Sequence, residues 1–432
     1  MSLTDVSLPS AARRLPLATP SRRHLPLAEH ARPADRTRPR YAVWEVTLRC
    51  DLACRHCSSR AGRARPDELT TAEAMRVVDQ MADLGVLEVT LIGGEAYLRD
   101  DWLDIVRAIR DRGMECTMVT GGRGMNPERA RGAKLAGLQS VSVSIDGLAP
   151  THDALRGLKG SHAAALAAIR NLSHEGVQVS ANTQIGRRNR RELLPLFDVL
   201  RETAVHSWQL QLTVAGGRVA DDPELLLEPY HLIEVMPEVM RVKERCDAAD
   251  VRVWPGNNLG YYGPFESSLR GNLPAGRKRS CGAGRFSLGI ESSGAVKGCP
   301  SLPSAEYVGG NVRDDLLRDI WERAEPLRFT RDRTTDELWG YCKGCYYAED
   351  CLAGCSWTAH SLFGKRGNNP YCHHRALDLL TDGKRERLVR VEAPAGTSFD
   401  HGRFEIVLED WPSGELAHAR AVAAGTEQWL VS

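Results

Sequence analysis

Three cysteines crowd into the text Cys50-Asp51-Leu52-Ala53-Cys54-Arg55-His56-Cys57, a C-x3-C-x2-C spacing just past a short β-rich run. Three thiolates on one short loop can wrap one corner of a metal cluster, and they leave one metal atom open to another ligand. Zinc is a second reading. Structural zinc prefers four protein ligands, and His56 is the nearest candidate for the fourth. A chance group of buried thiols is the third. Further along come Cys281 and Cys299 with Gly294 between them, then Cys342-x2-Cys345-x5-Cys351-x3-Cys355 and, after sixteen intervening residues, Cys372. Seven such donors suit iron–sulfur clusters or a pair of zinc ribbons. Cys116 and Cys246 stand apart and read as core thiols. A disulfide framework belongs to short secreted chains, whereas this one has 432 residues and no signal-peptide hydrophobic stretch.

Thiols at fixed spacing need a scaffold, and the periodicity supplies one from Tyr41 onward. β-rich runs at Val43–Leu48, Leu87–Ile92, Cys116–Thr120, Ser140–Ile145, Val177–Gln184 and Ser207–Thr213, with a weaker one at Val251–Trp254, alternate with amphipathic stretches. Those stretches are Thr71–Leu84, Asp101–Arg112, Pro127–Ala136, Ser161–Glu175 and Arg190–Glu202. Thr71 reads as an N-cap, and Gly85, Gly113, Gly137 and Gly176 read as helix stops. The alternation, about 35 residues per unit, predicts βαβ crossovers and a parallel sheet, either doubly wound or a partial (β/α) barrel. In both folds functional groups gather at the C-terminal ends of the strands. Beside the cysteine triplet, those ends carry Gly93-Gly94-Glu95, Thr120, Ser144, Asp146 and Gln184. The stretch Pro255–Ser280 reads as a loop-dominated bridge, in which Tyr261 and Tyr262 could donate a proton or hydrogen atom, stack on a substrate, or simply build the bridge. The cysteine-rich region after it shows one clear helix, Leu316–Ala324.

The C-x3-C-x2-C text at the end of the first strand, followed by Gly93-Gly94-Glu95 at the end of the second, resembles the radical S-adenosylmethionine (SAM) superfamily over roughly residues 41–255. The resemblance implies an α/β fold with a partial (β/α)6 TIM-type barrel. It implies a [4Fe-4S] cluster on Cys50, Cys54 and Cys57, whose open iron takes the amino and carboxylate groups of SAM. Gly93, Gly94 and Glu95 would hold the SAM amino group, the glycines admitting the methionine part close to the backbone. Ser144 and Asp146 are candidates for its ribose and carboxylate, and Thr120 and Gln184 have weaker claims. The seven later cysteines, with Gly294, resemble the SPASM extension of peptide and protein maturases. That likeness implies two auxiliary [4Fe-4S] clusters: one on Cys342, Cys345, Cys351 and Cys372, the other on Cys281, Cys299 and Cys355. Residues 273–280 lack the further cysteine some relatives supply, so a non-cysteine residue, water or substrate would close the second cluster.

The activity so implied is reductive cleavage of SAM to methionine and a 5′-deoxyadenosyl radical that abstracts hydrogen from a substrate. The expected substrate is a ribosomally made peptide, gaining a thioether, a carbon–carbon crosslink, or an oxidised or rearranged residue. A small-molecule substrate of haem or natural-product pathways is the alternative, and a zinc-ribbon interaction protein the remote one. The implied partners are an electron donor such as flavodoxin or ferredoxin and, since the residues before Tyr41 are too few for a winged peptide-recognition domain, a separate leader-binding protein. Composition agrees by exclusion. With 57 basic against 56 acidic residues there is no nucleic-acid footprint. No apolar run approaches the ~18–20 residues of a membrane span, so a cytoplasmic protein is expected. The expected organisation is a flexible basic arm with eight arginines (1–40), the barrel (41–255), the bridge (256–280), the cysteine domain (281–375) and an extension without assigned role (376–432).

Overall fold

The structure is a computed structural model that describes residues 38–271 and 281–428; nearly all of the basic arm and the end of the bridge lie outside these. Seven parallel strands stand side by side in chain order: β1 (Tyr41–Glu45), β2 (Glu88–Ile92), β3 (Glu115–Thr120), β4 (Ser140–Ser144), β5 (Gln178–Ile185), β6 (Val205–Leu212) and β7 (Arg252–Pro255). A doubly wound sheet would reverse its order at some point. This one does not, and among the described residues no pairing returns from β6 or β7 to β1, so the wall is an open, partial (β/α) barrel.

The crossovers are α1 (Thr71–Leu84), α2 (Trp102–Asp111), α3 (Pro127–Ala136), α4 (Ala149–Arg156) with α5 (Ser161–His174), and α6 (Leu193–Leu200). The cap of α1 is Thr70 rather than the expected Thr71. Thr70 Oγ1 accepts from the Glu73 N–H, and the Glu73 carboxylate accepts from the Thr70 N–H in return, a closed capping box. Val77, Val78 and Met81 then face the sheet. Gly85 and Gly137 end α1 and α3 at φ +87° and +93°, a conformation open mainly to glycine. Helices that escaped the sequence pattern include the short α4 inside the fourth crossover and Leu232–Ala248 between β6 and β7, whose Pro237 interrupts an otherwise amphipathic run.

The sheet does not stop at the bridge. β8 (Ser287–Ile290) pairs in parallel with β1, matching Tyr41 with Ser287, while β9 (Ala295–Lys297) and β10 (Gly310–Asn311) follow antiparallel, giving ten strands in all. The cysteine-rich region holds more helix than the single segment expected: Leu317–Arg323 fulfils that expectation, and Glu325–Asp332 and Ser356–Phe363 add to it. Beyond it, β11 (Lys384–Glu392) and β12 (Arg403–Asp410) form a separate antiparallel hairpin. Among the described residues no helix is long and apolar enough to cross a membrane.

Candidate active site and cysteine centres

The chain leaving β1 stays extended, with Arg49 bridging to Gly62, before it turns through the first three cysteines. The end of β2 is knitted to this stretch: Gly94 N–H donates to Thr47 O and Glu95 N–H to Arg49 O, each at 2.8 Å. A Cβ on Gly93 would stand 2.2 Å from Thr47 O, and one on Gly94 2.2 Å from Arg49 O and 2.7 Å from Cys50 Cβ. The close approach that requires glycine here is made by the cysteine loop itself.

Arginines from distant elements hold the carbonyls of that loop. Arg218 donates to Cys54 O at 3.0 Å and Ala61 O at 2.7 Å, and Arg123 donates to Asp51 O. The sulfurs accept in turn: Cys50 Sγ from Leu52 N–H (3.4 Å), Cys57 Sγ from Ala61 N–H (3.4 Å) and Cys54 Sγ from Arg156 (3.6 Å). Arg156 is aimed by Asp146, to which its other Nη donates at 2.5 Å; His56 Nε2 lies 3.0 Å from the same carboxylate oxygen. The second carboxylate oxygen accepts from the Gln184 N–H at 2.9 Å. Burial alone would raise the Asp146 carboxyl, but the Arg156 guanidinium and the His56 ring hold it far below the usual carboxylate range.

Glu95 is 2% exposed, with its carboxylate accepting from Thr120 Oγ1 (2.5 Å) and Gly121 N–H (2.6 Å). Burial pushes it up to about 7. Its oxygen lies with donor atoms of Cys50 and Asp51 in a group spanning no more than 4.8 Å. Ser144 closes β4, nearly buried and paired with Asn182 of β5. Gln184 and His56 line a cavity of about 230 Å³ together with Asn189 and Thr213. Glu95, Thr120, Ser144, Asp146 and Gln184 thus share the C-terminal rim of β2–β5 with the cysteine loop.

The later cysteines form two further groups. Cys342, Cys345, Cys351 and Cys372 line one cavity of about 360 Å³, walled by Tyr261, Tyr262 and Tyr347. Burial pushes Cys299 up to about 12, with neighbouring Cys281 and Cys355 adding to the shift. Tyr261 stands between the groups: its hydroxyl donates to Asn257 O and accepts from the Cys355 N–H, and its carbonyl lies 3.6 Å from Cys372 Sγ. Tyr262, at φ +46°, stacks on Tyr347 with ring centroids 4.2 Å apart. Cys116 and Cys246 are buried in the core.

All twelve cysteines are free of disulfides. Buried thiols beside one another resist ionisation unless a cation is present, and sulfur-only donor sets of three and four suit iron–sulfur clusters. The residues present therefore fit such groups. No sequence motif pointed to Arg156, 102 residues from Cys54, or to the segment Phe399–Asp400. Phe399 N–H donates to Ser58 O, and Asp400 accepts from Arg60 at 2.8 Å, closing the far flank of the first cysteine loop. These are tertiary contacts without a local signature.

Two family models match this chain: the radical SAM superfamily over residues 44–200, and SPASM, an iron–sulfur cluster-binding domain, over residues 281–346. The chain is 32% identical over 346 residues to the AdoMet-dependent heme synthase of Methanosarcina barkeri, spanning 78% of this chain and 97% of that protein. It is 30% identical over 315 residues to the mycofactocin maturase MftC of Mycobacterium ulcerans, spanning 72% and 82%. The fold is shared with Streptococcus suis SuiB bound to its precursor peptide SuiA, at TM-score 0.61 and 16% identity over 79% of this chain and 76% of that one.

Proposed function

The chain belongs to the radical SAM superfamily, as an enzyme with an iron–sulfur cluster-binding SPASM domain, and from that premise we propose that it modifies a ribosomally synthesised peptide. The observation that carries the reaction class is the convergence of Cys50, Cys54 and Cys57 at the barrel rim, with N–H groups and the Arg156 guanidinium on their sulfurs. When bound there, a [4Fe-4S] cluster and SAM supply reductive SAM cleavage and hydrogen abstraction from a substrate carbon.

The chain's own residues position and shield. Cys50, Cys54 and Cys57 hold the first cluster, and the donors to their sulfurs favour the reduced, more negative state. Gly93, Gly94 and Glu95 receive the SAM amino group, while Ser144, Asp146, Thr120 and Gln184 flank its ribose and carboxylate. The buried carboxylate of Asp146 acts through Arg156 and His56 as much as on any ligand. Cys342, Cys345, Cys351 and Cys372 hold one auxiliary [4Fe-4S] cluster. Cys281, Cys299 and Cys355 hold the other, three clusters in all, the last closed by a donor that is not a cysteine. Tyr261, hydrogen-bonded to Cys355 and close to Cys372, keeps the two auxiliary groups in register, and Tyr262 walls the four-cysteine cavity.

A peptide substrate is supported by a likeness, 27% identity over 350 residues, to the PqqA peptide cyclase of Ruegeria pomeroyi. The likeness to a heme synthase across nearly its whole length favours a second reading, a tetrapyrrole substrate. The reaction needs a reductant such as flavodoxin or ferredoxin, and a peptide would come with a separate leader-binding protein; both fit a cytoplasmic enzyme. The test is anaerobic reconstitution followed by incubation with SAM, reductant and either a co-encoded candidate peptide or an iron porphyrin. About twelve irons per chain are expected for three clusters. 5′-Deoxyadenosine should form in the native enzyme and vanish in Cys54→Ala. A mass change on the peptide supports the first reading; turnover of the porphyrin alone replaces it with the second.

A further inference from the structure

Apart from the cysteine sulfurs themselves, three side chains from three separate segments turn their donor atoms toward one point. Glu306 lies in the short helix Ser304–Tyr307, His360 in Ser356–Phe363, and His401 in the loop between β11 and β12. We propose that Glu306, His360 and His401 form a mononuclear zinc site that fastens the C-terminal segment to the cysteine-rich region. His360 Nε2 lies 3.8 Å and His401 Nε2 3.6 Å from Glu306 Oε1, and all three donor atoms fall within 4.8 Å of one another. These separations are too long for hydrogen bonds. They are close to those of ligands around a shared ion: zinc bonds of 2.0–2.1 Å in a tetrahedron place donors about 3.4 Å apart. An octahedral site would need about 3.0 Å.

The far sides of both rings are already occupied. His401 Nδ1 is 2.8 Å from the carbonyl of Gly402, an acceptor only, so Nδ1 meets it with its proton and Nε2 is the ring nitrogen that faces the group. His360 Nδ1 meets the Tyr307 hydroxyl at 2.9 Å, and that hydroxyl also accepts from Arg366 at 3.0 Å. This is the outer support that metal-binding histidines characteristically receive. His360 is only 5% exposed, and its Nε2 has no hydrogen-bond partner although it points into the group. A buried, unpartnered ring nitrogen aimed at a second imidazole and a carboxylate is the donor set of a His2Glu zinc site. The rings stand perpendicular, 89° apart, with centroids at 5.0 Å. The Glu306 side chain is 44% exposed, so the fourth position faces water.

The site would secure more than the hairpin. His401 bridges to Gly216, and its neighbours Phe399 and Asp400 hold Ser58 and Arg60 beside Cys57. Fixing His401 therefore fixes the clasp over the first cysteine loop.

The test uses full-length, anaerobically purified protein with its iron–sulfur clusters in place, given one equivalent of zinc chloride and desalted. One zinc per chain should remain, and its K-edge absorption spectrum should show nitrogen and oxygen neighbours near ~2.0–2.1 Å without sulfur near ~2.3 Å. Glu306→Gln, a near-isosteric change at a half-exposed position, and His401→Ala should each bind zinc roughly tenfold or more weakly while iron and sulfide content stay constant. In the native protein, but not in His401→Ala, zinc should slow proteolysis within residues 393–402. Failure to retain zinc, sulfur neighbours in its spectrum, or unchanged affinity in both variants overturns the proposal.

Discussion

Arg156 serves two acceptors at once, the Cys54 sulfur and the Asp146 carboxylate, and Asp146 is 1% exposed. Replacing it by methionine would leave that carboxylate buried without its guanidinium partner. Breaking a buried pair from one side costs about 3–5 kcal/mol, so Arg156→Met should lower the urea midpoint by a corresponding amount. Losing a positive charge beside the sulfur should also make the first cluster harder to reduce, read as a more negative potential in electrochemical titration. Gly94→Ala acts sterically. Its Cβ would meet Arg49 O at 2.2 Å, and overpacking of this kind typically costs about 1–3 kcal/mol. The displaced loop should retain less iron on reconstitution than native protein. The cysteine triplet and the Gly93-Gly94-Glu95 motif were legible in the sequence because their spacing is local. The reason for the glycines was not, since what they admit is the backbone around Thr47 and Arg49. Nor was Arg156, which reaches Cys54 only through the tertiary fold.

At the scale of elements, the turn Pro229–His231 links the barrel to the C-terminal hairpin. His231 Nδ1 accepts from the Glu228 N–H, and the Glu228 carboxylate accepts from Arg187 and from the Leu388 N–H of β11. Burial lowers His231 to about 3, and the charges of Arg190, Arg187, Arg191 and Arg385 add to the shift. The ring is therefore neutral when folded, whereas in the unfolded chain it takes a proton below about 6.5. Its contribution is present above that pH and is lost as pH falls through the range from about 6.5 to 3, at up to ~1.4 kcal/mol per unit. Denaturation at stepped pH should show that slope, and His231→Asn should flatten it. Strong periodicity and terminal glycines made α1 and α3 readable almost residue by residue. The hairpin and β8–β10 were not, because strands of two to four residues carry no usable alternation and β11 is exposed along much of its length.

For the whole molecule, the pairing of β8 with β1 makes the cysteine-rich region part of the barrel sheet. Ile290 and Leu288 of β8 are buried, and among the described residues β8 is the strand that covers β1 on that side. A chain cut after residue 271 would expose the backbone edge of β1, a ready template for intermolecular pairing. Expressed alone, residues 38–271 should appear in the insoluble fraction, while the full chain stays dispersed. Appearance of a stable, monomeric fragment would mean that the shared sheet contributes little to folding.

The clasp between Arg60 and Asp400 spans 340 positions of the chain. On a ribosome moving at roughly 5–20 residues per second, its two halves emerge roughly 20–70 s apart. Throughout that interval the first cysteine loop lacks its outer wall, open to the cell's cluster-delivery machinery but also to oxidants. Closure of that wall therefore waits until the segment around Asp400 has emerged and folded back onto Arg60.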